Sequence, residues 1–193
     1  MSALYDSPHE FEPLLPSPAR QEPLLAKAHD LARSATALAS QPIAAELRGL
    51  LRAMNSYYSN RIEGEHTRPS ELEQALKRDF SHDAGLAARQ RLAIAHIDAE
   101  VALEGRYVGD AGAGALYTAA AVADIHRTLF SRMPPEDLAP DEGAAIEPGR
   151  FRTRKVSVGR HVAPTASSLE VFMTRWSAVY GAVRRGEIGR AHV

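Results

Sequence analysis

Apolar residues recur at helical spacing along most of the chain. In the most informative run they lie three, four or one residue apart, at Ile43, Leu47, Leu50, Leu51, Met54, Tyr58 and Ile62. Because an α-helix completes a turn in about 3.6 residues, this spacing gives one apolar stripe along about five turns. Gly64 follows the run and is a typical residue for ending a helix. The pattern therefore predicts an amphipathic helix that begins after Pro42 and ends at Gly64.

Similar evidence predicts five further helices. They cover residues 24–40, 67–80, 84–103, 116–130 and 167–183. Thr67 and Pro69 are typical of a helix start, and Ser167 with Glu170 has the spacing of a capping box. The last helix has a strongly apolar face, which predicts that it packs against something or self-associates, so a homo-oligomer is one expected partner state.

Prolines and β-prone residues mark the segments that are not predicted as helices. Residues 1–22 contain repeated prolines, which favour an extended arm. Residues 133–149 combine prolines with acidic residues, as long surface connections do. Residues 150–164 alternate basic and β-prone side chains, which predicts a short hairpin. The expected fold class is mostly α, a helical bundle with one small β-hairpin.

Composition removes several classes of function. A formal net charge of -1 gives no overall attraction to nucleic acid or to anionic membranes. The chain has no cysteine, which excludes thiolate nucleophiles, disulfides and sulfur-rich metal sites, and is compatible with the reducing cytoplasm. We expect neither a secretory signal nor a membrane span, because no apolar stretch approaches about 18 residues. The expected location is the cytoplasm.

Ser59 and Glu63 lie four positions apart, so they share a helix face at the end of the predicted second helix. A carboxylate in the last turn meets the negative end of the helix dipole, at a cost of about 0.3–1 kcal/mol. The sequence therefore predicts a compensating cation for Glu63, with arginine as the natural candidate. The alternative is that Glu63 is an ordinary solvated surface acid.

Two segments resemble parts of the Fic protein family. Residues 55–76, NSYYSNRIEGEHTRPSELEQAL, resemble the inhibitory-helix region, whose pattern is a serine or threonine, three residues, a glutamate and a glycine or asparagine. Ser59, Glu63 and Gly64 occupy those places. Residues 149–164, GRFRTRKVSVGRHVAP, resemble the segment that holds the target-docking flap. The flap would comprise Val156, Ser157, Val158 and Gly159.

This resemblance implies a fold, an activity and a brake. It implies that residues 23–105 form the helical region with the inhibitory helix and that residues 115–186 form the first part of the Fic domain. Fic proteins of this type transfer AMP from ATP to a hydroxyl side chain of a target protein, with Mg²⁺ as cofactor. The glutamate that matches Glu63 pairs with an arginine of the family's catalytic motif, which would otherwise bind the γ-phosphate of ATP.

The catalytic motif itself, His-Pro-Phe-x-x-Gly-Asn-Gly-Arg in the family, is not found in these 193 residues, which contain no histidine followed by proline. No catalytic residue or metal ligand is therefore assigned, and ATP and Mg²⁺ are not expected to bind productively to this chain. The last seven residues, EIGRAHV, match the translation of a common sequencing adapter. We expect residues 187–193 to be a non-native tail on an N-terminal fragment.

Two other functions are open from the sequence. Basic residues are dense between Arg150 and His161, which would suit a nucleic-acid-binding hairpin. Against this, Phe151 is the only aromatic residue there for base stacking. A non-catalytic regulatory module is the other alternative, since some Fic toxins are restrained by a separate protein that carries the inhibitory helix. The segment resembling a flap argues against it.

Overall fold

The computed structural model describes residues 16–41, 43–107, 115–139, 145–159 and 161–184. Within these residues the protein is mostly α-helical, as the periodicity predicts. The helices are α1 (Pro18–Ala39), α2 (Ala44–Ile62), α3 (Pro69–Leu76), α4 (Ala84–Glu104), α5 (Ala119–Phe130) and α6 (Leu169–Arg184). Short 3₁₀ helices cover Pro135–Leu138 and Ala166–Ser168. None of the helices in the described ranges is long and apolar enough to cross a membrane.

Helix α4 is the centre of the fold, because α2, α3 and α5 all pack against it. It begins at Asp83, whose carboxylate accepts a hydrogen bond from the Leu86 backbone N–H at 2.7 Å. The buried residues of α4 are mostly small: Ala87, Gln90, Ala93, Ile94, Ala95 and Ala99. Small side chains let neighbouring helices approach closely from several directions. The central position of α4 therefore follows from its alanine content.

The side of α2 that packs against α4 is not the side with the large apolar residues. Ser56 is fully buried, and its hydroxyl donates to the Ala93 backbone oxygen at 2.8 Å. The predicted apolar stripe is largely exposed: Ile62 is 82% and Tyr58 55% accessible. The smaller Ala53 face fits the alanine surface of α4 more closely than leucine and methionine would. Helix α2 thus has the predicted span and a different buried face.

Helix α1 begins at Pro18, so residues 18–22, predicted to belong to an extended arm, are helical. Proline is tolerated in a first turn because the N–H groups there have no helical partner. Pro23 lies inside the helix, where it removes one backbone hydrogen bond. No residue of α1 is buried. Residues 1–15 of the predicted arm lie outside the described residues.

The connection between α5 and α6 is attached to the core by an ion pair. Both oxygens of Asp137, in the first 3₁₀ helix, accept hydrogen bonds from Arg91 of α4, at 2.6 and 2.8 Å. Only 7% of the Asp137 side chain is exposed, and this bidentate contact raises the pKa of Arg91. The acidic connection is therefore held against α4 where it is described.

Two-residue strands precede the last helix. Strand β1 (Ser157–Val158) pairs antiparallel with β2 (His161–Val162), and Ser157 lies opposite Val162. The pairing continues on one side, where the Ala163 N–H donates to the Val156 oxygen at 3.0 Å. Helix α6 then begins at Leu169, two residues later than the predicted Ser167, because the 3₁₀ helix precedes it. Its Trp176 and Tyr180 rings lie 6.1 and 6.2 Å from that of Tyr117.

Candidate functional site

Glu63 lies directly at the carboxyl end of α2, as the sequence predicts. Its backbone N–H donates to the Ser59 backbone oxygen at 3.3 Å, and this hydrogen bond closes the last turn of the helix. Gly64 has a φ of +88°, in the left-handed region that glycine enters without steric cost, and its N–H donates to the Arg61 oxygen. The glycine therefore ends the helix immediately after the glutamate. The Glu63 side chain is exposed at this end.

Ser59 and Glu63 line the same cavity, of about 270 Å³. Across the cavity lie Leu92 and His96 of α4 and Leu129 of α5. The predicted common face of the two residues is thus directed toward the space between three helices. Among the described residues no ion pair involves Glu63, so the predicted cationic partner is not found there.

A larger cavity of about 650 Å³ adjoins the first and shares His96 and Leu129 with it. Its other lining residues are Arg48, Arg52, Ala99, Glu100, Leu103, Glu104, Tyr107, Leu116 and Ile125. Together the two cavities form one groove whose floor is α4 and whose walls are α2 and α5. We call it the α4 groove. Its interior is mainly apolar, and its charged residues come from α2 and α4.

The charges on the α2 wall and on the α4 floor of the groove neutralise one another. Glu104 accepts from Arg48 at 3.1 Å and also from Arg52. Arg52 lies a further 4.0 Å from Glu100. Two arginines are therefore balanced by two carboxylates in the larger cavity. Among the residues that the structure describes, the carboxylate of Glu63 at the other end of the groove has no such partner, so that end would attract a cationic group.

Arg152 holds the backbone on both sides of the strand pair. One of its guanidinium nitrogens donates to the Arg154 oxygen at 2.7 Å, and the other donates to the Pro164 oxygen. A planar guanidinium can bridge two carbonyls in this way, whereas a lysine ammonium is a single point of contact. The predicted flap residues, Val156, Ser157, Val158 and Gly159, lie between these two attachment points.

We expect Arg152→Lys to loosen the strand pair without unfolding the helices. Losing one of the two hydrogen bonds should lower the protection of the Ala163 amide against hydrogen exchange roughly tenfold, which corresponds to about 1.4 kcal/mol. Arg154→Lys is the matched control, because only the backbone of Arg154 takes part in the contact. Equal protection of the Ala163 amide in both variants would show that the Arg152 side chain does not stabilise the strand pair.

Sequence reasoning missed the contact between α5 and the residues before the strands. The Gly149 N–H donates to His126 Nδ1 at 2.9 Å, and the His126 ring lies 4.6 Å from that of Phe130. The two partners are 23 positions apart, so no local pattern links them. Burial lowers the pKa of His126, which favours the neutral ring that this contact requires.

Asp124, two positions before His126, serves a different contact. Arg106 donates to its oxygens at 2.8 and 3.0 Å, and the Tyr107 hydroxyl donates at 3.1 Å. The hydrogen bond from Arg106 is the main cause of a lowered Asp124 pKa. This network joins the end of α4 to α5. Asp124 is therefore not arranged with His126 as an acid and base pair.

The basic residues between 150 and 161 are partly engaged within the protein. Arg150 forms an ion pair with Glu147 at 2.9 Å, and Arg152 is occupied by backbone carbonyls. Arg150, Arg152 and Arg154 line a third cavity, of about 710 Å³. Arg160 and the His161 side chain lie outside the described residues. Where the chain is described, this cluster is therefore less free to bind phosphates than its sequence indicates.

No group of three or more histidine, aspartate or glutamate side chains within the described ranges could hold a metal ion. No protein-family model matches the chain, and neither a curated protein nor a solved structure matches it. The resemblance to Fic proteins remains a prediction from the two sequence segments.

Proposed function

We propose that this chain is the N-terminal, inhibitory part of a Fic-type AMP-transferase. The intact protein would transfer AMP from ATP to a hydroxyl side chain of a cytoplasmic target protein. In this chain Glu63 would be the brake, Ser59 and Gly64 would position it, and Val156, Ser157, Val158 and Gly159 would dock the target. The catalytic histidine and the nucleotide-binding arginine would be supplied by a further segment.

The observation that carries the proposal is the placement of Ser59 and Glu63 on one cavity at the end of α2. Glu63 is the acidic residue of that cavity, and its carboxylate has no ion-pair partner among the described residues. A guanidinium entering from the groove would find a carboxylate that can accept two parallel hydrogen bonds. A carboxylate that occupies an arginine in this way also prevents the arginine from binding phosphate.

The strand pair supports the docking part of the proposal. Ser157 and Val158 of the proposed flap form strand β1, and Arg152 binds backbone oxygens on both sides of the strand pair, so an extended target segment would meet a backbone of defined geometry. Strand addition of this kind supplies affinity from main-chain hydrogen bonds and selectivity from side chains. Mg²⁺ and the phosphates of ATP would be held by the further segment.

The proposal is tested by sequencing the gene beyond codon 186 in genomic DNA and by expressing the resulting open frame. We expect the frame to continue into a His-Pro-Phe motif and the purified product to incorporate label from α-labelled ATP into protein. The present 193-residue chain, purified in parallel, should incorporate none. A frame that closes at codon 193, or an extended product that incorporates no label even as its Glu63→Gly variant, would contradict the proposal.

A further inference from the structure

A histidine side chain of α5 binds the backbone of the segment 145–154. The Gly149 N–H donates to His126 Nδ1 at 2.9 Å. An imidazole nitrogen can accept a hydrogen bond only when it carries no proton, so the ring must be neutral with its proton on Nε2. The contact therefore exists in one protonation state of His126 and is lost in the other.

Gly149 also fits closely against α5 for steric reasons, in addition to the hydrogen bond. Its φ is +80°, and a Cβ built on it would lie 2.7 to 2.9 Å from atoms of Arg127. Only glycine fits at this separation, so the backbone at 149 is pressed directly against α5. The docked position is therefore a specific close approach between two elements that are remote in sequence.

Burial disfavours a positive charge on the His126 ring. Its neighbour Arg127 contacts Gly149, and Asp124 on the same helix is already bound by Arg106. The charged residues that line the cavity with His126 are Glu147, Arg150, Arg152 and Arg154. Glu147 is the acidic one, and it is paired with Arg150. Helix α6 contributes the uncharged Leu169, and no residue of α4 lines this cavity.

We propose that His126 is an acid-sensitive latch: neutral, it holds the backbone at Gly149 on α5, and protonated, it releases that backbone. Protonation removes the acceptor for the Gly149 N–H and places a cation beside Arg127 and the arginines of the cavity. The latch does not depend on AMP transfer, since it follows from the contacts of this chain alone.

The direction of the pH dependence follows from linkage. Burial lowers the pKa of His126 below its ordinary value of 6.5 when the segment is docked. Release restores the ordinary value, so the released form binds the proton more tightly. Docking is therefore complete above pH 6.5 and weakens as the pH falls below it. The lowered pKa of Asp124 keeps its carboxylate ionised between pH 7 and pH 5, so Asp124 does not account for the change.

The latch is tested by hydrogen exchange of the Gly149 amide in the whole chain, expressed as protection relative to the intrinsic rate at each pH. We expect protection to fall roughly tenfold between pH 7 and pH 5, a size set by the change in His126 protonation between the docked and released forms. Unchanged protection over this range would overturn the proposal.

His126→Asn separates the hydrogen bond from the titration. The asparagine oxygen lies three bonds from Cα, as Nδ1 does, so it can accept from Gly149 and does not titrate. This variant should keep Gly149 protected at both pH values, and a fall parallel to that of the wild type would overturn the latch. His82→Asn, which changes an exposed histidine, should behave as the wild type.

Nuclear magnetic resonance of the wild-type histidine rings keeps the test decisive if His126→Asn does not fold. We expect the neutral ring to carry its proton on Nε2 at pH 7, and its titration to coincide with the loss of Gly149 protection. The proposal would be overturned if the midpoint of the His126 ring titration differed by more than about one pH unit from the midpoint of the loss of Gly149 protection. A difference of that size lies well outside the scatter of a single linked transition.

Discussion

Replacing Gln90 by leucine should lower the free energy of unfolding by about 2–4 kcal/mol. Gln90 is fully buried between α3 and α4. Its amide nitrogen donates to the Glu71 backbone oxygen, and its amide oxygen accepts from the Ser81 backbone N–H, both at 2.8 Å. Leucine has a similar volume and offers neither bond. Two part-buried backbone groups would then each lose a hydrogen bond, and each such loss costs about 1–3 kcal/mol.

Thermal unfolding followed by circular dichroism measures this effect. A loss of 2–4 kcal/mol in a chain of this size should lower the midpoint by roughly 5–15 °C. Gln74→Leu is the matched control, because Gln74 is an exposed glutamine on α3, and it should change stability by less than about 0.5 kcal/mol. Equal midpoints for the Gln90 and Gln74 variants would show that the bridge between α3 and α4 does not stabilise the fold.

The helices could be read from the sequence because their signals are local. Apolar spacing together with Gly64 defines α2 from Ala44 to Ile62, and the pattern from residue 84 onward defines α4. The predicted start of α1 is wrong, because a cluster of prolines favours an extended arm in the sequence pattern although the helix begins at Pro18. Pro18 instead occupies the first turn, the one place where a helix loses nothing by it.

The face that a helix buries could not be read in the same way. For α2 the apolar stripe that includes Met54 and Tyr58 indicated one face, and the structure buries the face with Ser56. The reason lies in α4, whose alanines admit small side chains at close range, and whose role as the central helix is a property of the whole fold. Periodicity describes one helix at a time, so it cannot include this partner.

The candidate site could be predicted from the sequence only where its residues are close together along the chain. Ser59 and Glu63 share a face because they are four residues apart, and this is a local rule. Their cavity also needs His96 and Leu129, which the fold brings from two other helices. The contact between His126 and Gly149 has no sequence signal, since it joins a helix to a loop across 23 positions.

Glu63→Gly should raise AMP incorporation by the extended protein roughly 10- to 1,000-fold. The lower bound reflects the loss of one charge-assisted pair, and the upper bound reflects what an arginine on phosphate can contribute to transfer. Within this chain the change should leave stability within about 1 kcal/mol, because the Glu63 side chain is exposed and forms no ion pair among the described residues. Activity and stability are therefore separable at this position.

The most direct measurement is AMP incorporation by the extended wild-type protein, its Glu63→Gly variant and its Glu65→Gly variant, assayed side by side with α-labelled ATP. Glu65 is the matched control, because it is the next glutamate and does not line the cavity of Ser59. The account predicts strong labelling only for Glu63→Gly. Equal labelling of all three proteins, or equal gains from both substitutions, would contradict the assignment of Glu63 as an internal brake.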